Sequence, residues 1–304
     1  MKNQIIIFSI IFSMLIIIPT AHGQIKTEDS LQKSVRVEIN SLGDVKVIHE
    51  IKKQNEPKQL DLLDGTITNL RVNNEDGDEF SFGLLNENSI MILPSDEKLI
   101  VTYDLSDALT LIDNFWTWNL LYFLSTSIIF PEEVDLVFVN DKPVFLGDKP
   151  GIICHGCQMK LEYSLDQPKL IENVKSKNNV HVIEIITWAK VDQFNFDKEN
   201  GITFGLEDSN DFVTLIVPKN LLKEPLEVSL NDEKILFHKY IENDTHTWIS
   251  LKPKNPGEVS ISGTVVPEFP ENDMGSIPVE YLAGIGIAIG IGAVIAIIFI
   301  KKKK

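Results

Sequence analysis

The sequence predicts an all-β protein: two tandem β-sandwich domains, an N-terminal signal peptide and one C-terminal transmembrane helix. Three observations carry that prediction. Between residues 34 and 266, apolar and polar residues alternate in short runs, the period-two signature of half-buried strands. Clusters of Asn, Asp, Gly and Ser interrupt these runs every eight to twelve residues, and no window holds a sustained 3.6-residue period, the nearest being a weak one near 106–112. Finally, each end of the chain carries a long apolar run, whereas the body between them is acidic.

Residues 1–23 have the three-part layout of a secretory signal peptide. Lys2 precedes an apolar run from Ile5 to Ile18, and the small residues Ala21 and Gly23 suit cleavage after Gly23. The N-terminal sandwich is expected over 24–166. Its first hairpin is Val35-Arg36-Val37-Glu38-Ile39 against Val45-Lys46-Val47-Ile48, turned by Ser41-Leu42-Gly43-Asp44. Strands follow at 66–72, 79–84, 88–93 and 98–105, the first two separated by the acidic turn Asn73-Asn74-Glu75-Asp76-Gly77-Asp78. The aromatic stretch 115–130 is too short to span a bilayer and holds Asn119 within it. Two buried core strands account for it better than an aromatic binding surface or a re-entrant membrane segment. Strands at 134–139 and 142–146 flank the tight turn Asn140-Asp141.

The chain turns polar over 166–179, which reads as a domain boundary. Seven further strands follow, at 180–189, 201–207, 212–217, 226–230, 234–240, 245–251 and 258–266. That number and spacing match an immunoglobulin- or fibronectin-like sandwich over 167–266. Residues 267–280 read as an extended stalk. Residues 281–300 then carry no charge, and as a helix they reach about 30 Å, the thickness of a hydrocarbon core. The four lysines at 301–304 mark a cytoplasmic tail, so the body lies outside the cell on a single-pass anchor.

Between the cleavage site and the span lie all 44 acidic residues and 23 of the 28 Lys and Arg, for a net charge of −21. Such a field repels nucleic acid and anionic lipid headgroups. Two cysteines do not make a disulfide-dense scaffold, so the domains depend on hydrophobic cores.

The sharpest local motif is Cys154-His155-Gly156-Cys157, with Met159 close behind. Strand-like flanks argue against thioredoxin chemistry, which needs the first cysteine at a helix N-terminus. In an oxidising compartment a Cys154–Cys157 disulfide is the first expectation, worth about 2 kcal/mol by loop-closure entropy. The alternative is a soft-metal site in which Cys154, His155, Cys157 and Met159 hold copper. The acidic turn at 74–79 offers oxygen ligands for Ca²⁺ but lacks the register of an EF-hand loop. His49, His181, His238 and His246 fall in strand patterns without a nucleophile motif beside them, and no phosphate loop or Gly-x-Ser-x-Gly is present. No enzyme activity is therefore expected. Asn243-Asp244-Thr245 is a glycosylation sequon placed on a turn. Within the span, Gly286 and Gly290 form a Gly-x-x-x-Gly through which two copies could dimerise.

Val266-Pro267-Glu268-Phe269-Pro270, the spacer, the apolar helix and the basic end together resemble the PEF-type C-terminal anchor of archaeal cell-surface proteins. The match covers about 266–304. It departs from the commonest pattern at Pro270, where glycine is usual, and in the longer spacer 271–280. The resemblance implies an archaeal source, anchoring at the cell membrane and no catalytic activity. The function expected from the sequence is an extracytoplasmic interaction or envelope-structural module, its partners being the membrane and other envelope proteins.

Overall fold

The computed structural model describes residues 31–176, 179–197 and 201–265. The signal peptide with its Gly23 cleavage site, the whole PEF-like motif, the stalk, the span with Gly286 and Gly290, and the basic tail all lie outside the described residues. Within them every regular element is a strand, and no helix is long and apolar enough to cross a membrane. Two compact units divide the chain, the first ending at Asp166 and the second beginning at Gln167.

The first unit opens with β1 (Gln32–Ile39), β2 (Val45–Ile51), β3 (Lys58–Asp61), β4 (Thr66–Asn74) and β5 (Phe82–Asn86). It continues with β6 (Ser89–Ile92), β7 (Leu99–Ser106), β8 (Thr110–Ile112), β9 (Phe115–Tyr122) and β10 (Thr126–Ile129). The last four are β11 (Leu136–Val139), β12 (Lys142–Phe145), β13 (Gly151–Cys154) and β14 (Cys157–Tyr163). These strands form a six-stranded sheet ordered β13-β10-β1-β2-β7-β4, a five-stranded sheet ordered β12-β11-β14-β9-β8, and a small sheet ordered β3-β6-β5.

Alternation decides which faces meet. In β1, β2 and β7 the odd-numbered residues from Val35 to Ile39, Val45 to Ile51 and Leu99 to Leu105 are all buried. The pairs Val37↔Val47 and Val47↔Tyr103 bring them into rows across the sheet. Trp118, Leu120, Leu161 and Tyr163 from the five-stranded sheet, and Leu60, Ile90 and Ile92 from the small one, complete a single core. Each fully buried aliphatic side chain contributes roughly 1.5–3 kcal/mol relative to exposure. The one parallel pairing among the described residues, β1 with β10, joins elements separated by most of the unit, as parallel pairs require a long crossover.

The second unit holds β15 (Lys169–Ser176), β16 (Asn179–Ile186), β17 (Val191–Asp197), β18 (Gly201–Leu206) and β19 (Val213–Pro218). It ends with β20 (Leu222–Leu230), β21 (Glu233–Lys234), β22 (Phe237–Glu242), β23 (His246–Leu251) and β24 (Gly257–Val265). Two five-stranded sheets result, ordered β15-β16-β19-β23-β22 and β17-β18-β24-β20-β21. Ile183, Leu215 and Ile249 from the first, with Phe204, Val228 and Val259 from the second, belong to one core.

The strand census exceeds the expectation of seven. Most of the polar stretch read as a boundary is β15, an edge strand whose Lys169, Glu172 and Lys175 suit a solvent-facing edge. β17 escaped because its pairing with β18 shifts register between Asp192 and Asn195, with Gln193 at a φ of +50°, and a bulge breaks strict alternation. The weak helical period near 106–112 resolves as a bend followed by β8.

Candidate binding cleft beside the disulfide corner

Two chain segments pass from one large sheet of the first unit to the other, side by side. β9 lies in the five-stranded sheet and β10 in the six-stranded one; β13 and β14 make the return crossing. Pairing holds on both sides of the bend, with Cys157 opposite Tyr122 and Thr126 opposite Cys154. Between these rungs one segment inserts Phe123, Leu124 and Ser125, the other only His155 and Gly156. The unequal lengths let a two-stranded ribbon turn a corner, as bulges do where strands change sheets.

Cys154 and Cys157 bridge the shorter path, with sulfurs at bonding distance and Cα atoms 5.4 Å apart. The bridge thus ties the end of one sheet to the start of the other, rather than closing a simple hairpin turn. Ser125 Oγ lies 2.9 Å from His155 Nδ1 and links the two crossings. Gly156 takes a φ of +70°, a conformation that favours glycine.

The motif's other donors point elsewhere. Met159 is buried beside Leu120 on the core side of β14, whereas His155 is exposed at the corner. Both sulfurs are committed to the bridge, so the four soft donors are not gathered into one ligand set. Among the described residues no group of three His, Cys, Asp or Glu side chains is placed to hold a metal ion. In the acidic turn, Asn74 Oδ1 accepts the backbone N–H groups of Asp76 and Asp78, and Gly77 O accepts from Asn73. Those oxygens serve the turn itself.

Beside the corner opens a cleft of about 350 Å³. Leu31, Leu62, Leu121, Phe123 and Leu124 supply its apolar wall, and Gln32, Gln59, Asp61, Asp64 and Tyr122 its polar groups. Phe123 is 82 % exposed and Leu121 47 %, which corrects the expectation that 115–130 is buried core throughout. The strands on either side do alternate into the core; the corner between them cannot, because there the chain leaves both sheets.

A buried hydrogen-bond chain fixes the floor of the cleft. Leu63 N–H donates to Tyr103 Oη at 2.9 Å. His49 Nε2 stands 2.9 Å from the same oxygen, and His49 Nδ1 2.8 Å from Gln32 Oε1. A carbonyl oxygen only accepts, so Nδ1 carries the proton, and neutral Nε2 accepts the Tyr103 hydroxyl. Gln32 Nε2 then donates to Tyr122 Oη at 2.9 Å, and Tyr122 donates to Asp61 O at 2.9 Å. His49 is fully buried, and burial lowers its pKa to about 3, so it stays neutral. Burial likewise raises Tyr122 to about 12, reinforced by the nearby Asp61 charge.

At the mouth the carboxylates are held by neutral amides. Gln59 Nε2 donates to Asp61 Oδ1 at 2.6 Å, and Asn88 Nδ2 to Asp64 Oδ1 at 2.9 Å. Among the described residues no Lys, Arg or His lines the cleft. Sequence reasoning missed this constellation because its members are scattered over β1, β3, β9 and two loops. The one available signal was the run Leu121-Tyr122-Phe123-Leu124 continuing past the end of an alternating strand.

The remaining candidate residue, Asn243, lies on the exposed turn before β23. Its Oδ1 accepts Thr245 N–H at 2.8 Å, the Thr245 hydroxyl at 3.0 Å and His246 N–H at 2.7 Å. The sequon is thus an Asx turn open to solvent. His181 and His238 lie on β16 and β22, apart from the cleft's lining.

No family model matches the chain, and no curated protein matches it. Among solved structures it is similar to an aminopeptidase N family protein from Idiomarina loihiensis, with a TM-score of 0.34 and 12 % identity. That match covers 49 % of this chain and 32 % of the other.

Proposed function

We propose that the chain is a membrane-anchored extracytoplasmic surface protein, working as a non-enzymatic interaction or envelope module through the cleft at the disulfide corner. One observation carries the binding reading: an open cavity with an apolar wall, convergent polar groups and an exposed aromatic residue at its rim. Cavities of this size and make-up are where proteins take up small groups from ligands or partners. His49, which lies behind the cleft's lining, is sealed in a satisfied network rather than presented to a substrate. Placement outside the cell rests on the signal-peptide layout of 1–23 and the uncharged run 281–300 before four lysines. A disulfide-bonded cysteine pair fits an oxidising compartment. The second unit would act as a spacer of immunoglobulin or fibronectin size, with Asn243 available for an oligosaccharide.

Protease added to intact cells tests the topology. It is expected to remove the body and leave a membrane-protected fragment ending in 301–304. Digestion of that tail, with the body protected, would reverse the orientation.

A further inference from the structure

The cleft's chemistry is one-sided. Its apolar wall is leucine and Phe123, its rim presents two carboxylates, and among the described residues no cation lines it. Gln59 and Asn88 hold Asp61 and Asp64 through neutral amides, so both carboxylates are oriented without a cationic partner among the described residues. Phe123 lines the same cleft and is largely exposed. An aliphatic stem that ends in a cation is complementary to all three features. The stem covers the leucines, the cation meets the carboxylates, and the aromatic face adds a cation–π contact.

Resting on the interaction-module reading, we propose that this cleft receives a lysine or arginine side chain presented by a partner protein at the cell surface. Its stem would lie along Leu31, Leu62 and Leu121, and its cation would meet Asp61 and Asp64 under Phe123. The cavity's 350 Å³ lies at the small end of ligand pockets, suited to a side chain rather than a large cofactor. A protein partner is favoured over a free amine because part of the cleft's own apolar lining stays open to water. Leu121 is 47 % exposed and Phe123 82 %. Such a rim is left for a second surface to cover. The chain's strongly acidic balance would draw a basic partner toward it before contact, an effect that weakens with salt. The disulfide and the His49–Gln32–Tyr122 chain have a role here as well, because they fix the cleft's lining in place and so lower the ordering cost of binding.

The test uses the full chain in neutral-lipid nanodiscs and an immobilised Gly-Ser-Lys-Leu-Gly-Ser peptide as probe. Binding is expected for the lysine peptide and should be about tenfold weaker for its acetyl-lysine twin. Asp61→Asn with Asp64→Asn should weaken binding by a similar factor, and Phe123→Ser should weaken it several-fold. Asp104→Asn with Asp107→Asn, which removes two carboxylates from outside the cleft, should change it less than twofold. Equal losses from the two carboxylate pairs would mean that only the overall field attracts the peptide, and would overturn the proposal. An affinity that rises when residues 24–30 are deleted would also overturn it, by showing the chain's own preceding segment, with Ile25 and Lys26, to be the occupant. Neither result touches the topology assay, so the cleft's ligand and the surface-module reading fail separately.

Discussion

His49 occupies a position that the strand pattern assigns to an aliphatic residue. It sits opposite Val35 on β1 and Val101 on β7, in a row that faces the core. The substitution is tolerated because both ring nitrogens are satisfied and the Tyr103 ring stacks on it, with centroids 5.5 Å apart. Neutrality has a thermodynamic consequence. An unfolded histidine titrates near 6.5, and this one near 3, so between those values the unfolded chain binds a proton that the folded chain refuses. Stability is therefore complete above pH 6.5 and falls as pH drops, by up to about 1.4 kcal/mol per pH unit from this residue alone. His49→Gln should lower stability at pH 8 and flatten the slope between pH 6.5 and 4.5, where most carboxylates remain ionised. Denaturant melts at half-unit pH steps measure it; parallel slopes for both proteins would refute the assignment. The sequence placed His49, like His181, His238 and His246, in a strand pattern without a nucleophile motif, and did not single it out as the buried one. It gave no sign of Gln32, Tyr103 and Tyr122 as its partners, because hydrogen bonds across 17 to 90 residues leave no local pattern.

Strands were more legible than their ends. Alternation located β1, β2 and β7 closely, since one buried face and one wet face leave a period that composition cannot hide. It was weakest where the chain changes sheets, at edges and at bulges: β8, β15 and β17. The corner shows why. Phe123 and Leu124 are as apolar as any core residue, and only the three-dimensional crossing assigns one to solvent and the other to the half-buried margin of the core. Gly151, at the start of β13, belongs to the same crossing. A Cβ there would fall 1.8 Å from the Ile128 carbonyl oxygen, a backbone atom that cannot swing aside. Gly151→Ala should force β13 off the sheet edge, at a cost of about 1–3 kcal/mol. Hydrogen exchange should then show faster amides in β10 and β13, with β1 and β2 little changed. Protection lost evenly across the six-stranded sheet would mean that the edge pair is not a separable element.

At the scale of the whole chain, two hydrophobic cores share no residue, and their members divide between the units on either side of Asp166. Each core has its own sheets, and every special device described for the cleft belongs to the first: the bridge, the His49 network and the unequal corner. The second unit, like the first, carries ion pairs on its surface. Lys219 and Lys239 lie 2.5 and 2.7 Å from the Glu242 carboxylate, and their hydrogen bonds hold its pKa down to about 2. Calorimetry of the intact chain should therefore resolve two transitions. Replacing both Cys154 and Cys157 by alanine removes a short-loop constraint of about 2 kcal/mol. That should lower one transition by roughly 5–10 °C and leave the other in place. A shift from pH 7 to pH 5 should move the same transition, because His49 must then be held neutral at a cost, whereas Glu242 remains ionised at both values. If the alanine variant and the pH shift displace both transitions together, the units form one cooperative structure. If they displace different transitions, the bridge and the His49 network do not stabilise the same fold.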